Sequence, residues 1–466
     1  MSTRQNGRRR PTGPEVSAEV QAELDAVYHS IISRAPEHDI DPTLDRVAQV
    51  CELLGDPQKA FRTIHITGTN GKTSTSRMTE RLVREHGLRT GRFTSPHLTS
   101  VTERIAIDGE PLSAERFIEV WKDVQPYVEM VDTSSQAAGG PKLSFFEVLT
   151  VMAFAAFADA PVDVAIIEVG LGGLWDSTNV VDAEIAIIAP VALDHQQWLG
   201  ETVEEIAAQK AGIVKDGATL VLAQQDPLAE DVIVEIASAR GAHIVREGTD
   251  IEVAERFAAV GGQLMSLRTP AGLYTEIFMP VYGAHQAHNA LLALTATEAL
   301  VSGGGALDGD VVGAAFQGVD SPGRLEVVRR SPTILVDAAH NAAGARALVD
   351  AIEESFDFTR LVGVVGILAD KDAETILSLL EPVLAEVVVT QSSSMRSHDV
   401  DDLEEIAVDI FGEDRVRSAG RLDEAIDVAA GRAESEDLIG VGTGTGVLVT
   451  GSVILAAEAR TLLGLT

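Results

Sequence analysis

Thr67-Gly68-Thr69-Asn70-Gly71-Lys72-Thr73-Ser74 follows a short apolar run, 63–67, and opens a helical pattern that ends near His86, with Gly87 just past the cap. Strand, glycine-rich loop and helix, in that order, form the setting of a phosphate-binding loop. The glycines let backbone N–H groups wrap phosphate oxygens, and the helix N-terminus adds positive potential. In that reading Gly68, Thr69, Asn70, Gly71, Lys72, Thr73 and Ser74 hold a nucleotide, Lys72 reaches the β/γ oxygens from an exposed position, and the Thr73 hydroxyl ligates Mg²⁺. The generic motif has a further glycine five residues before Gly71. Ile66 stands there, so the loop is a shortened variant.

Outward from this loop, apolar runs at 162–169, 184–189, 219–222, 333–336 and 361–365 alternate with helical patterns. That rhythm predicts parallel α/β units, and runs that are apolar throughout, not alternating, fit strands covered on both faces. Residues 251–279 break the rhythm with hairpin-like strands around Gly261-Gly262 and Ala271-Gly272, which predicts an antiparallel element. The turn cluster 317–323 marks a boundary. The expected division is a disordered tail over 1–14, a nucleotide-binding domain over 15–320 with a mostly parallel sheet, a linker over 321–330, and a smaller Rossmann-like α/β domain over 331–466.

A chain of 466 residues favours two or three domains. Its 36 Lys and Arg against 71 Asp and Glu give a net charge of −35, which repels nucleic-acid backbones and anionic lipid. Aromatic residues at 4% are too few for a base-stacking platform. One cysteine, Cys51, closes no internal disulfide, and no Cys/His cluster has the spacing of a zinc site. The longest dense apolar run, 148–158, is about half of the ~20 residues a membrane helix needs. Arg4, Arg8, Arg9 and Arg10 have no apolar segment behind them, so no export signal is read there. The expectation is a cytoplasmic, monomeric protein with small-molecule partners and neither nucleic acid nor membrane.

Other candidates end further strands. Glu168-Val169-Gly170-Leu171-Gly172-Gly173 leads to Asp176 and Asn179, either ligand contacts or turn formers satisfying their own backbone. Asp194-His195 lands on the same sheet edge as the phosphate loop, making His195 a Mg²⁺ ligand, a water orienter or a strand-end histidine. Lys210 lies in a helix begun by a Thr202/Glu205 capping box, and solvent exposure is its plain reading. Ser144 with Glu147 forms another such box, so Glu147 can simply cap. Asp337 ends a strand and suits a ribose hydroxyl, while Arg324 on the linker can follow domain closure onto a phosphate. Lys371, Arg396 and His398 follow strands of the second domain, where they hold an amino acid or remain solvated loop charge.

Taken together, Gly68-Thr69-Asn70-Gly71-Lys72-Thr73, Ser95-Pro96-His97-Leu98, Phe146-Glu147, the Glu168–Gly173 stretch, Asp194-His195, Lys210-Ala211-Gly212-Ile213 and Asp337-Ala338-Ala339-His340-Asn341 resemble the Mur ligase superfamily, in its folate branch. The resemblance implies ATP and two Mg²⁺ ions, with Glu147 and His195 as ligands of the second ion and Lys210 as a carbamylated lysine beside the metals. It makes Asn289, Arg324, Asp337 and His340 nucleotide contacts. Ser95, Pro96 and His97 become part of a folate-site loop, with Asp176 near the pterin. The implied reaction is ATP-dependent addition of L-glutamate to dihydropteroate or to a folate through an acyl phosphate. A peptidoglycan-precursor ligase and a nucleotide-gated binding module are the alternatives.

Overall fold

The computed structural model describes residues 16–34, 41–434 and 444–465; the tail expected over 1–14 lies outside them. The first sheet contains, in chain order, β1 (Arg62–Thr67), β2 (Thr90–Phe93), β3 (Ile105–Ile107), β4 (Glu110–Pro111), β5 (Val164–Glu168), β6 (Ile185–Ile188), β7 (Thr219–Leu222) and β8 (His243–Arg246). Their spatial order is β4-β3-β2-β5-β1-β6-β7-β8, parallel except where β3 and β4 turn back at one edge.

Period-two alternation explains why the strands read as apolar throughout. Ile64, Ile66, Val164, Ile166, Ile185 and Ile187 enter one core beneath the helices Lys72–Glu85 and Ala284–Ser302. Ala165 and Ile167 enter a second core with Phe154 and Phe157, while Ala186 and Ile188 enter a third with Ile206 and Ile233. Both faces are therefore covered, as parallel strands require. The strands β9 (Glu252–Ala259), β10 (Gly262–Thr269) and β11 (Gly272–Met279) form the expected antiparallel element and add Met265, Leu267 and Ile277 to the first of these cores.

The second sheet holds β12 (Glu326–Arg330), β13 (Thr333–Val336), β14 (Arg360–Val365), β15 (Glu386–Val389), β16 (Val416–Ser418) and β17 (Thr445–Thr450), in the order β12-β13-β17-β14-β15-β16. Only β12 runs antiparallel. It also corrects the linker expected over 321–330, because half of that span is this edge strand, paired with β13 through Val327 and Leu335. The turn residues 318–323 lie between a helix ending at Gln317 and this strand, whose charged, half-exposed Glu-Val-Val-Arg-Arg run does not look like a covered strand. Carboxyl ends of the two sheets face each other across a cavity of about 860 Å³.

Candidate active site

The phosphate loop forms one wall of this cavity. Gly71 sits at the N-cap of Lys72–Glu85 with φ +86°, and Asn289 packs directly against it. The expected exposure of Lys72 is corrected: the residue is half-buried, and its Nζ donates to the carbonyls of Gly68 and Thr69 at 3.0 and 3.1 Å. The ammonium thus lies back along its own loop. Burial lowers its pKa, against the pull of Glu168 and Asp194.

Glu168, placed at a strand end by the sequence but given no role there, belongs to the site. It ends β5, the strand paired beside β1, so its carboxylate reaches the loop, where Thr73 Oγ1 donates to Oε1 at 2.9 Å. The other oxygen, Oε2, is buried without a hydrogen-bond partner. Burial pushes the Glu168 carboxyl up to about 7, although Lys72 and the Thr73 hydroxyl oppose the shift. A hydroxyl and a vacant carboxylate oxygen beside a phosphate loop fit Mg²⁺, which takes one or two protein oxygens and fills its shell with phosphate and water. Among the described residues, no three His, Cys, Asp or Glu side chains converge as a metal cage. A carboxylate ending an otherwise apolar strand was the available signal.

Lys210 is not on the surface. It is buried and donates to the Gly68 carbonyl at 2.9 Å, so two lysines share that oxygen. Burial, reinforced by the charge of Lys72, lowers its pKa to about 7. His195 adopts a left-handed conformation, φ +52°, at the cap of a short helix at the cavity mouth. Desolvation brings its imidazole down to about 4, so it is neutral and able to accept a cation.

Glu147 lines the cavity but its carboxylate is committed: Oε2 accepts from its own Ser144 N–H at 2.7 Å, and Oε1 pairs with Arg46 at 3.0 Å. Its capping alternative is thus what the structure displays, together with Arg46, which no sequence motif marks out. Asp176 likewise behaves as a turn former, accepting from the N–H groups of Leu171 at 2.8 Å and Thr178 at 3.0 Å. Ser95 and Pro96 line the cavity. His97 and His398 are not among its lining residues: His97 accepts from Arg104 Nε at 2.9 Å, and the backbone N–H of His398 bonds to Ile367.

From the second sheet come Arg324, Asp337, His340, Lys371 and Arg396. Asp337 accepts from the N–H groups of Leu325 and Ala339, both at 2.7 Å, and so fixes the loop carrying Arg324. His340 donates through Nδ1 to the Ala338 carbonyl at 2.9 Å, and burial lowers its pKa to about 4. Arg396 pairs with Asp370 at 2.7 Å. Lys371 and Asp194 form a buried ion pair of 2.6 Å across the two halves. Asn341 joins it, donating to Asp194 at 3.2 Å and exchanging amide bonds with Asn70 of the phosphate loop at 3.2 and 3.3 Å. Asp194, named only as a neighbour of His195 in the sequence, is the pivot between the sheets.

Residues 66–297 match the Mur ligase middle domain and residues 323–452 the Mur ligase glutamate ligase domain. A dihydrofolate synthase/folylpolyglutamate synthase of Mycobacterium tuberculosis is 47% identical over 97% of this chain and 96% of its own. The chain belongs to the Mur ligase superfamily. Another dihydrofolate synthase/folylpolyglutamate synthase, from Bacillus subtilis, shares 32% identity with this Mur ligase over 90% of the chain and 95% of its own length. A Mycobacterium tuberculosis folylpolyglutamate synthase complexed with ADP and AMPPCP superposes on it with a TM-score of 0.90 at 46% identity, covering 96% of this chain and 99% of that one. The phosphate loop, Lys210 and the Asp337–Asn341 turn all fall within the two matched domains.

Proposed function

We propose that this Mur ligase uses ATP to join L-glutamate to the carboxylate of dihydropteroate or of a folate, as the names of its relatives suggest. One observation carries the reading: a phosphate loop on one sheet and the turn around Asp337 and His340 on the other line a single cavity and are tied together through Asn70, Asn341, Asp194 and Lys371. That arrangement brings a nucleotide and a second substrate between two halves of one chain.

In this mechanism an acceptor carboxylate attacks the γ-phosphorus, ADP departs, and the amine of glutamate then attacks the acyl phosphate to release phosphate. Two anions must meet, so the contribution of the protein is charge and positioning. Lys72 leaves the Gly68 and Thr69 carbonyls for the β/γ oxygens. Arg324, held by the Asp337 loop, faces the phosphates from the other half. Thr73 and Glu168 would hold Mg²⁺, with His195 a further ligand candidate on the same cavity wall, and the ion would supply positive charge against the phosphates. Lys210, with its pKa near 7, offers a neutral amine to CO₂, and a carbamate there replaces a cation beside the phosphate loop with an anion. Lys371 and Arg396 serve the carboxylates of the incoming glutamate. Among the described residues no helix is long and apolar enough to cross a membrane.

The test is isotopic. Acceptor labelled with ¹⁸O in its carboxylate should pass one labelled oxygen to inorganic phosphate for each amide formed. Phosphate free of label, with amide still produced, would exclude the acyl phosphate.

A further inference from the structure

β1 carries the phosphate loop at its end, and two of its polar side chains point away from that loop into a buried layer. Thr67 Oγ1 donates to the Gly172 carbonyl at 2.7 Å. His65, fully buried, meets Thr178 Oγ1 at 2.8 Å through Nε2. The Thr178 hydroxyl in turn donates to Asp176, whose carboxylate holds the N–H groups of Leu171 and Thr178. Because the hydroxyl proton goes to Asp176, Nε2 of His65 must be the donor, and the ring is the neutral Nε2–H tautomer. Its Nδ1 is then a buried acceptor, and it has no partner.

A histidine with one bare nitrogen inside a parallel sheet is a poor choice for stability alone, since an apolar side chain there would leave no acceptor unsatisfied. The 170–176 turn it reaches is a junction. Gly170 packs so closely on the Phe146 ring that a Cβ would lie 2.5 Å from it, and Leu174 N–H bonds to the Gln209 carbonyl, one residue before Lys210. Gly170, Leu171, Gly172, Trp175 and Asp176 all line the cavity.

We propose that His65 is a positioning residue: through Thr178 and Asp176 it locks the 170–176 turn to the strand that bears the phosphate loop, so that the acceptor is presented in register with the nucleotide. This rests on the proposed reaction for what the turn presents, but the tether itself is independent of it. Burial holds the ring neutral, which keeps the relay intact across the working pH range.

Two readouts separate the parts. In the protein without substrates, hydrogen exchange over residues 170–178 should quicken at least tenfold in His65→Leu and in the near-isosteric Thr178→Val, and stay within threefold of wild type in His65→Gln, which keeps a donor at similar reach. With ATP and glutamate saturating, KM for dihydropteroate should rise at least fivefold in the first two variants while KM for ATP stays within twofold. Unchanged exchange in Thr178→Val would overturn the tether. Faster exchange with an unchanged acceptor KM, or with an equal rise in the ATP KM, would overturn the positioning role. A wild-type protein that uses no pteroate acceptor would instead contradict the proposed reaction, and the exchange data would still decide the tether.

Discussion

Glu168 and Lys210 each hold a charge that burial disfavours. For Glu168, a folded pKa of about 7 lies above the ordinary carboxyl value of 4.5, so the folded state binds the proton more tightly than the unfolded chain. Its contribution to stability is therefore fully present below pH 4.5 and is lost as pH rises through 7. The neutral variant Glu168→Gln should melt like wild type at pH 5 and be more stable than it at pH 8, by on the order of 3 kcal/mol. Its turnover should fall at least a hundredfold with loss of the Mg²⁺ response. Equal melting differences at both pH values would contradict the assignment. Lys210→Ala removes both a buried amine and any carbamate formed on it. Turnover should fall at least a hundredfold, and a short carboxylic acid such as acetate or propionate should restore part of it by filling the vacated space with an anion. Normal turnover of Lys210→Gln would contradict the carbamate. The place of Lys72 and Thr73 on the phosphate loop was legible because they follow its glycines between strand and helix, although the partial burial of Lys72 was not. The burial of Lys210 was not legible either, since a capping box predicts a helix but not which of its sides is buried, and only the family resemblance placed it in the site.

At the scale of the element, the loop functions because Gly71 accepts a left-handed conformation with Asn289 against it. A Cβ there would sit 2.6 Å from Asn289 Oδ1, on a backbone with φ +86°. Gly71→Ala should therefore raise the dissociation constant for ATP at least tenfold by displacing Asn289 or the loop, as titration calorimetry would read. Binding within twofold of wild type would show that the loop tolerates the shift and that Asn289 does not define it. Strands were the most legible elements. The apolar runs at 63–67 and 219–222 and the hairpins within 251–279 became strands because both-face burial and a β-turn leave local signatures. β12 escaped because it is an edge strand with one face open, so its pattern is that of a loop. Glu147 shows the converse limit: a capping box is visible in sequence, but Arg46, 101 residues away, is not.

Across the whole molecule, the Asp194–Lys371 pair fastens one half to the other. Removing one partner leaves the other charge buried and alone, a cost of about 3–5 kcal/mol in comparable pairs. Asp194→Ala should loosen the two halves, which small-angle scattering would record as a larger radius of gyration, and should lower turnover at least tenfold. An unchanged radius with unchanged turnover would contradict the pivot. Contacts of this kind, which join Asn70 to Asn341 across 271 residues, have no periodicity or spacing in the sequence to announce them. The central claim is that this cavity couples ATP cleavage to ligation, and phosphate release by the purified protein with ATP, Mg²⁺ and L-glutamate tests it most directly. The account expects release only when both glutamate and an acceptor, dihydropteroate or a reduced folate, are present, at one phosphate per amide formed. Release at the same rate without glutamate or without either acceptor would contradict it.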